Sequence, residues 1–207
     1  MSSNNQISRE VAQRLFATEF DKSTFQFKES NEEMAPSYIL LPTGGLANRV
    51  LLVGTLTEKE DVGQEQENWR GVINDPTGNF YVYAGQYQAE AAAKLRELDT
   101  PEYVAIVGKP NTFETDDGDV MINLRPESIT VVDEETRDQW VLETAEQTIN
   151  RVENFEGGEF DIAEGEGPRN HSVPIQYGLS PQDEIMEDVI EALENFDGGK
   201  QEELTEA

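Results

Sequence analysis

Chemistry in this chain is concentrated in Asn68–Gln88, NWRGVINDPTGNFYVYAGQYQ, where aromatic rings and a base recur at strand-like spacing. Trp69–Asn74 and Phe80–Tyr83 are rich in the β-branched and aromatic residues that suit a pleated, half-buried surface. Between them, Asp75-Pro76-Thr77-Gly78 has Asp first, Pro second and Gly fourth, the preferred chemistry of a type I turn. Strand alternation puts Phe80 and Val82 on one face and Tyr81 and Tyr83 on the other. With Phe80 and Val82 turned inward, the tyrosines offer ring faces and hydroxyls to solvent. Rings so placed can stack nucleobases, each contributing ~1–3 kcal/mol. Trp69 and Tyr87 flank the pair and extend the aromatic set. Filling a core or an interface is the alternative role for every one of these rings.

Five bases accompany them. Arg49, Arg70, Lys94, Lys109 and Arg125 fall in a block, residues 46–133, that holds 16 acids. Bases near strands can contact phosphates, and pairing with neighbouring carboxylates is the competing role. Phe113, between the last two predicted strands, is a further stacking candidate or a loop anchor. Catalytic chemistry finds little support. His171, the only histidine, lies in a Gly/Pro-rich stretch without fixed neighbours. Asp116-Asp117-Gly118-Asp119 lacks the spacing and closing Glu of a calcium loop, and no Gly-Lys-Ser/Thr follows Pro42-Thr43-Gly44-Gly45. The absence of cysteine excludes disulfides, thiolate nucleophiles and Cys-based metal centres. The expectation is a binding protein without catalysis, cofactor or metal.

The elements that must position these residues can be read in order. Val11, Leu15, Phe16 and Phe20 recur at helical spacing, predicting a helix over Ser8–Phe20, and residues 1–45 form an N-terminal extension. Asn48–Thr57 reads as a strand with Gly54 at a bulge or corner. The aromatic hairpin follows, then a helix over Gln88–Leu98 that Thr100-Pro101 ends. Glu102–Lys109 is a fourth strand, and Val120–Leu124 with Ser128–Val132 a fifth, interrupted at Arg125-Pro126. Three strands, a helix and two strands in residues 46–133 predict a five-stranded Greek-key barrel, the OB-fold. A different small barrel or sandwich has the same strand count. Residues 134–155 carry a helical apolar stripe, 156–181 read as an acidic Gly/Pro linker, and 182–207 as an acidic C-terminal helix and tail.

The formal charge of −28, from 43 acids against 15 bases, admits two explanations. An acidic surface repels nucleic acid and attracts basic partners. Alternatively the excess adapts the chain to molar salt, where the Debye length is ~3 Å. Six lysines among the bases, no cysteine and acids spread through every segment favour a salt-adapted, cytoplasmic protein. Under that condition counterion release adds little affinity, and stacking on aromatics is a mode that survives. No apolar run reaches 18 residues, so no membrane-spanning helix is expected.

Three blocks carry a resemblance: PTGGLANRVLLVGTLTEKEDVG, WRGVINDPTGNFYVYAGQYQAEAAAKLREL and LRPESITVVDEETRDQW. Together they resemble the haloarchaeal replication protein A-associated proteins, across roughly residues 8–155. The resemblance implies an archaeal, halophilic OB-fold accessory subunit. Such a subunit complexes with a replication protein A polypeptide and assists single-stranded DNA binding in DNA replication and repair. Two other functions fit the same residues. One is a protein–protein adaptor for replication protein A or repair enzymes, without DNA contact. The other is an OB-fold RNA-binding module.

Overall fold

The computed structural model describes residues 10–28, 30, 35–154 and 181–206, with side chains described as far as residue 195. The predicted linker before Pro181, His171 and the first residues of the predicted Ser8–Phe20 helix therefore lie outside the described residues.

Five long strands close a barrel. In chain order the elements are β1 (Gln13–Arg14), α1 (Ala17–Lys22), β2 (Gln26–Lys28), β3 (Ser37–Leu40) and β4 (Leu46–Ala47). Next come β5 (Val50–Asp61), β6 (Trp69–Asp75), β7 (Gly78–Ala84), a 3₁₀ turn (Gln86–Gln88), α2 (Ala89–Glu97), β8 (Glu102–Glu114) and β9 (Val120–Val131). Two helices follow, α3 (Glu134–Glu153) and α4 (Pro181–Glu206). The sheet runs β5-β6-β7-β9-β8, and β8 pairs back to β5 over Val50–Leu56, which closes the ring. All neighbours are antiparallel except β7 and β9, which meet in parallel at Val82 and Leu124. Five strands in this order, with one helix between the third and fourth, make an OB-fold.

Glycine permits two of the close approaches. A Cβ on Gly54 would lie 2.4 Å from the Asn74 carbonyl oxygen, where β5 coils from one sheet neighbour to the other. A Cβ on Gly108 would lie 2.5 Å from the Arg125 carbonyl oxygen. There β8 pairs with β9 through a register shift, Val107 opposite Ser128 and Gly108 opposite Pro126, so Glu127 is the extra residue of a bulge. The interruption expected at Arg125-Pro126 is this bulge within one continuous strand. The strand expected to end at Thr57 runs on to Asp61.

The core holds Leu52, Leu56, Ile73, Phe80, Val82, Ile106 and Leu124, all fully buried. Ala91, Ala92 and Leu95 of α2 join this cluster. At the hairpin end, Phe20 of α1 meets Phe80 with ring centroids 5.4 Å apart. The N-terminal helix is shorter and later than its periodicity predicts. Residues 10–12 are not helical, and Val11 is exposed. Gln13 and Arg14 instead run beside Val50 and Leu51 as a short parallel strand. The Gln13 N–H donates to the Arg49 carbonyl at 2.9 Å, and Arg14 pairs with Glu143 of α3 at 2.9 Å. Backbone pairing on an open strand edge outweighs a helical pattern only a few residues long.

α3 and α4 lie against α1. Asp133 caps α3 by accepting from the Thr136 N–H at 2.9 Å. Trp140 packs edge-on against Phe16, centroids 5.5 Å apart. Ile185, Val189 and Ala192 of α4 are buried, while Asp188 accepts from the Thr18 hydroxyl and pairs with Lys22. Among the described residues no helix is long and apolar enough to cross a membrane.

Candidate nucleic-acid interface

The outer surface of the barrel follows from register and alternation. Between β6 and β7, Arg70 opposes Tyr83 and Val72 opposes Tyr81, while Gly71–Val82 and Ile73–Phe80 point inward. Val82 and Leu124, the parallel pair, are both fully buried. One residue further along each strand, register sets Tyr83 beside Arg125; one residue earlier, Tyr81 stands beside Asn123. Across β9 and β8, Arg125 opposes Lys109, Asn123 opposes Asn111, and Met121 opposes Phe113. Two rows therefore cross four strands: Arg70, Tyr83, Arg125, Lys109, and Val72, Tyr81, Asn123, Asn111. At ~4.8 Å between strands each row is ~14 Å long, and Tyr81 and Tyr83 are ~6.7 Å apart along β7. That stride is about twice the 3.4 Å rise of stacked DNA, so it suits an extended, unstacked strand.

The hairpin tip holds this register. Asp75 Oδ1 accepts from the Thr77 N–H at 2.7 Å and the Gly78 N–H at 3.0 Å, while Oδ2 accepts from the Ala17 N–H at 2.8 Å. Burial pushes the Asp75 carboxyl up to about 6, against the opposing pull of these donors and of the Thr77 hydroxyl.

The predicted residues separate into groups. Tyr81 is 38% exposed and Tyr83 half-buried, both on the outer face. Trp69 is not on that face: it opposes the buried Ala84 and packs against the core, with Lys59 Nζ 5.8 Å from its ring centre. Lys59 also donates to the Arg96 carbonyl at 2.8 Å and to the Leu98 carbonyl, tying Trp69 to the end of α2. Arg49, a candidate phosphate contact, is engaged by its neighbours. Its Nη2 lies 2.5 Å from Glu127 and its Nη1 donates to the Glu10 carbonyl at 3.0 Å. Arg70 is likewise engaged, 3.3 Å from Glu60 and 3.9 Å from Glu58. Both therefore have carboxylate partners in the protein itself.

Lys109 and Arg125 differ. Both are exposed, and neither side chain makes an ion pair or hydrogen bond among the described residues. With Tyr87, which is 87% exposed, they line an open groove of about 960 Å³. Gln26 and Ser37 contribute from the N-terminal strands, and Gln88 and Ala89 from the start of α2. Lys94, a turn beyond Glu90, is half-buried, unpaired and outside the lining. Phe113, 43% exposed, and Met121, 41% exposed, face each other near the β8–β9 tip, beyond the groove. The tip is narrower than the expected loop, because β8 continues to Glu114.

Gln26, Asn111 and Asn123 were not marked by residue type. Asn111 and Asn123 follow from alternation once the β8–β9 hairpin is centred on Asp116-Asp117-Gly118. Gln26 leaves no local signal, since its contacts are 84 and 86 residues away.

The class defined by this strand order is the OB-fold barrel. No family model matches the sequence, and no curated protein matches it. Similar solved structures include an OBody bound to hen egg-white lysozyme, 17% identical, covering 41% of this chain and 81% of that one, with a TM-score of 0.35. A second single-stranded DNA-binding protein from Mycobacterium smegmatis is 15% identical over 41% of this chain and 86% of that one, TM-score 0.35. Asparaginyl-tRNA synthetase from Pyrococcus horikoshii is 17% identical over 49% of this chain and 25% of that one, TM-score 0.34. The fold assignment rests on strand order and register.

Proposed function

We propose that this chain is a non-enzymatic OB-fold protein that holds single-stranded DNA on the outer face of β6, β7 and β9. It does so as an accessory partner of a replication protein A polypeptide in replication and repair. The observation that carries DNA binding is the placing of Tyr81 and Tyr83 on one outer face, beside an exposed and unpaired Arg125. Stacking on tyrosine does not depend on counterion release, so it suits a chain of charge −28 that works in concentrated salt. The partner assignment is supported by the three sequence blocks that resemble replication protein A-associated proteins.

The test is fluorescence anisotropy of a labelled oligothymidylate at ~2 M KCl, a concentration that leaves a Debye length of ~2–3 Å. Wild type and the Tyr81→Ala/Tyr83→Ala double variant are compared, each alone and with the copurifying partner. DNA binding weakened by the double variant, with the partner complex intact, supports the proposal. Loss of the partner complex instead makes the tyrosine face a protein-docking surface. Preference for the ribo-oligomer over the deoxy-oligomer makes the module an RNA binder.

A further inference from the structure

The groove beside the barrel has a property that the fold alone does not require. Lys109 and Arg125 are direct cross-strand partners on one face, where like charges disfavour pairing. The chain carries 43 acids, yet no carboxylate pairs with either base among the described residues. Seven other bases, Arg14, Lys22, Arg49, Arg70, Arg96, Arg137 and Arg151, have carboxylate partners, whereas Lys28, Lys59 and Lys94 have none among the described residues. Lys28 is the strand partner of groove-lining Ser37. Two carboxylates line the groove, Glu90 and Glu127, and Glu127 is held by Arg49. A concave site where cations converge on an otherwise acidic chain is complementary to an anion.

We infer that this groove is a second nucleic-acid subsite, which takes the single strand as it leaves the tyrosine face. A phosphodiester lies between Lys109 and Arg125, and the following base stacks on Tyr87. The inference rests on the DNA-binding reading above. Continuity comes from Arg125, which borders Tyr83 by register and also lines the groove. Tyr87, at 87% exposure, has almost its whole ring available to a ligand. A volume of about 960 Å³ has room for a nucleotide, being near the top of the ~300–1,000 Å³ range of small-molecule sites. The Gln88 amide nitrogen in the wall can donate to a phosphate or a base edge, while Gln26 and Asn111 already donate to the Pro110 carbonyl and to Asn123. Because Gln26 and Ser37 belong to β2 and β3, the N-terminal strands help to build the site.

The experiment titrates the full chain with labelled oligothymidylates of increasing length, from about 4 to about 15 nucleotides, the range of OB-fold site sizes. Wild type is compared with Tyr87→Ala and with Lys109→Gln. Both side chains are exposed, and circular dichroism confirms that the variants fold. Wild-type affinity is expected to rise in a second step once the oligomer is long enough to reach the groove. Tyr87→Ala removes that step, lowering affinity for the longest oligomer about fivefold or more. Lys109→Gln reduces the slope of log affinity against log salt by about 0.7, the value for one phosphate contact on a single strand. Variant and wild-type curves that coincide at every length and salt concentration overturn the groove subsite and leave the tyrosine face standing. If wild type binds no oligomer of any length, the DNA-binding reading falls and the groove inference with it.

Discussion

The carboxylate of Asp75, at the turn of the β6–β7 hairpin, accepts a hydrogen bond of 2.8 Å from the backbone N–H of Ala17, the first residue of α1. The same carboxylate accepts from Thr77 and Gly78 within the turn. One buried side chain thus locks the turn that sets the register of Tyr81 and Tyr83, and ties it to the N-terminal segment. The tyrosine face is built on a fixed hairpin rather than on a mobile loop.

That carboxylate gives stability a specific pH dependence. Burial raises its pKa from 3.8 to about 6 in the folded chain. The folded state therefore holds this proton more tightly than the unfolded state. The stabilisation is fully present below pH ~4 and is lost as pH rises through ~6, a change of about 3 kcal/mol. Mutual repulsion among the other carboxylates has the same sign, so the comparison must be internal. Denaturation midpoints of wild type and Asp75→Asn are measured from pH 4.5 to 7 at constant high salt. Wild type is expected to lose stability relative to the variant across that window; parallel curves would remove the Asp75 contribution.

The Arg151–Glu19 pair gives a larger effect. Glu19 is fully buried, and its two oxygens are engaged by the Arg151 guanidinium and the Thr43 hydroxyl. Arg151 also donates to Thr43 at 3.1 Å and to Thr148 at 3.0 Å, so one network joins α1, the turn after β3 and α3. Arg151→Ala strands a buried carboxylate and is expected to cost about 3–5 kcal/mol. Replacing both residues by leucine should recover most of that loss. Urea denaturation of the three variants checks the ordering, and a double variant as unstable as the single one would show that packing, not charge, dominates.

Much of the barrel was legible because its signals are local. The Asp75–Gly78 turn separates two strands of alternating pattern, and Thr100-Pro101 ends a helix rich in alanine. Alternation alone assigned Phe80 and Val82 to the core and Tyr81 to the surface. The misplaced features depend on distant partners. Arg49 and Arg70 look free in sequence, yet Glu127 lies 78 residues from Arg49, and the acids beside Arg70 come from another strand. The helical pattern of Val11–Phe20 gave way because the edge of β5 offered backbone hydrogen bonds to Gln13 and Arg14. Trp69 extends the aromatic set by residue type, and its strand parity turns it to the core, the alternative role open to every one of these rings.

Gln26 shows how a side chain can finish a sheet. Beyond Gly108, β8 has outrun β5 and its edge is open. There Gln26 Nε2 donates to the Pro110 carbonyl at 3.2 Å, and its Oε1 accepts from the Thr112 N–H at 3.2 Å and hydroxyl at 2.8 Å. The amide acts as a one-residue strand that covers the edge of β8 from Pro110 to Thr112. Gln26→Ala should lower stability by about 1–3 kcal/mol and speed amide exchange at Thr112. Gln26→Glu keeps the acceptors and loses only the donor, so its Thr112 amide should stay nearer to wild type. Equal exchange rates in both variants would show that the contact does not protect the edge.

If register rather than residue type selects the DNA contacts, two arginines in the barrel block should behave oppositely. Arg49 is occupied by Glu127 and the Glu10 carbonyl, whereas Arg125 stands exposed beside Tyr83. Arg49→Gln is expected to leave oligothymidylate affinity unchanged while lowering stability by about 1 kcal/mol, as for a partly exposed ion pair. Arg125→Gln should weaken binding and reduce the salt slope by about 0.7, with stability unchanged or slightly raised by removal of the like-charge pair with Lys109. Anisotropy at several salt concentrations, with a denaturation midpoint for each variant, gives both quantities. Equal losses of affinity in the two variants would mean that general positive charge, not the row running from Tyr83 through Arg125, governs DNA binding.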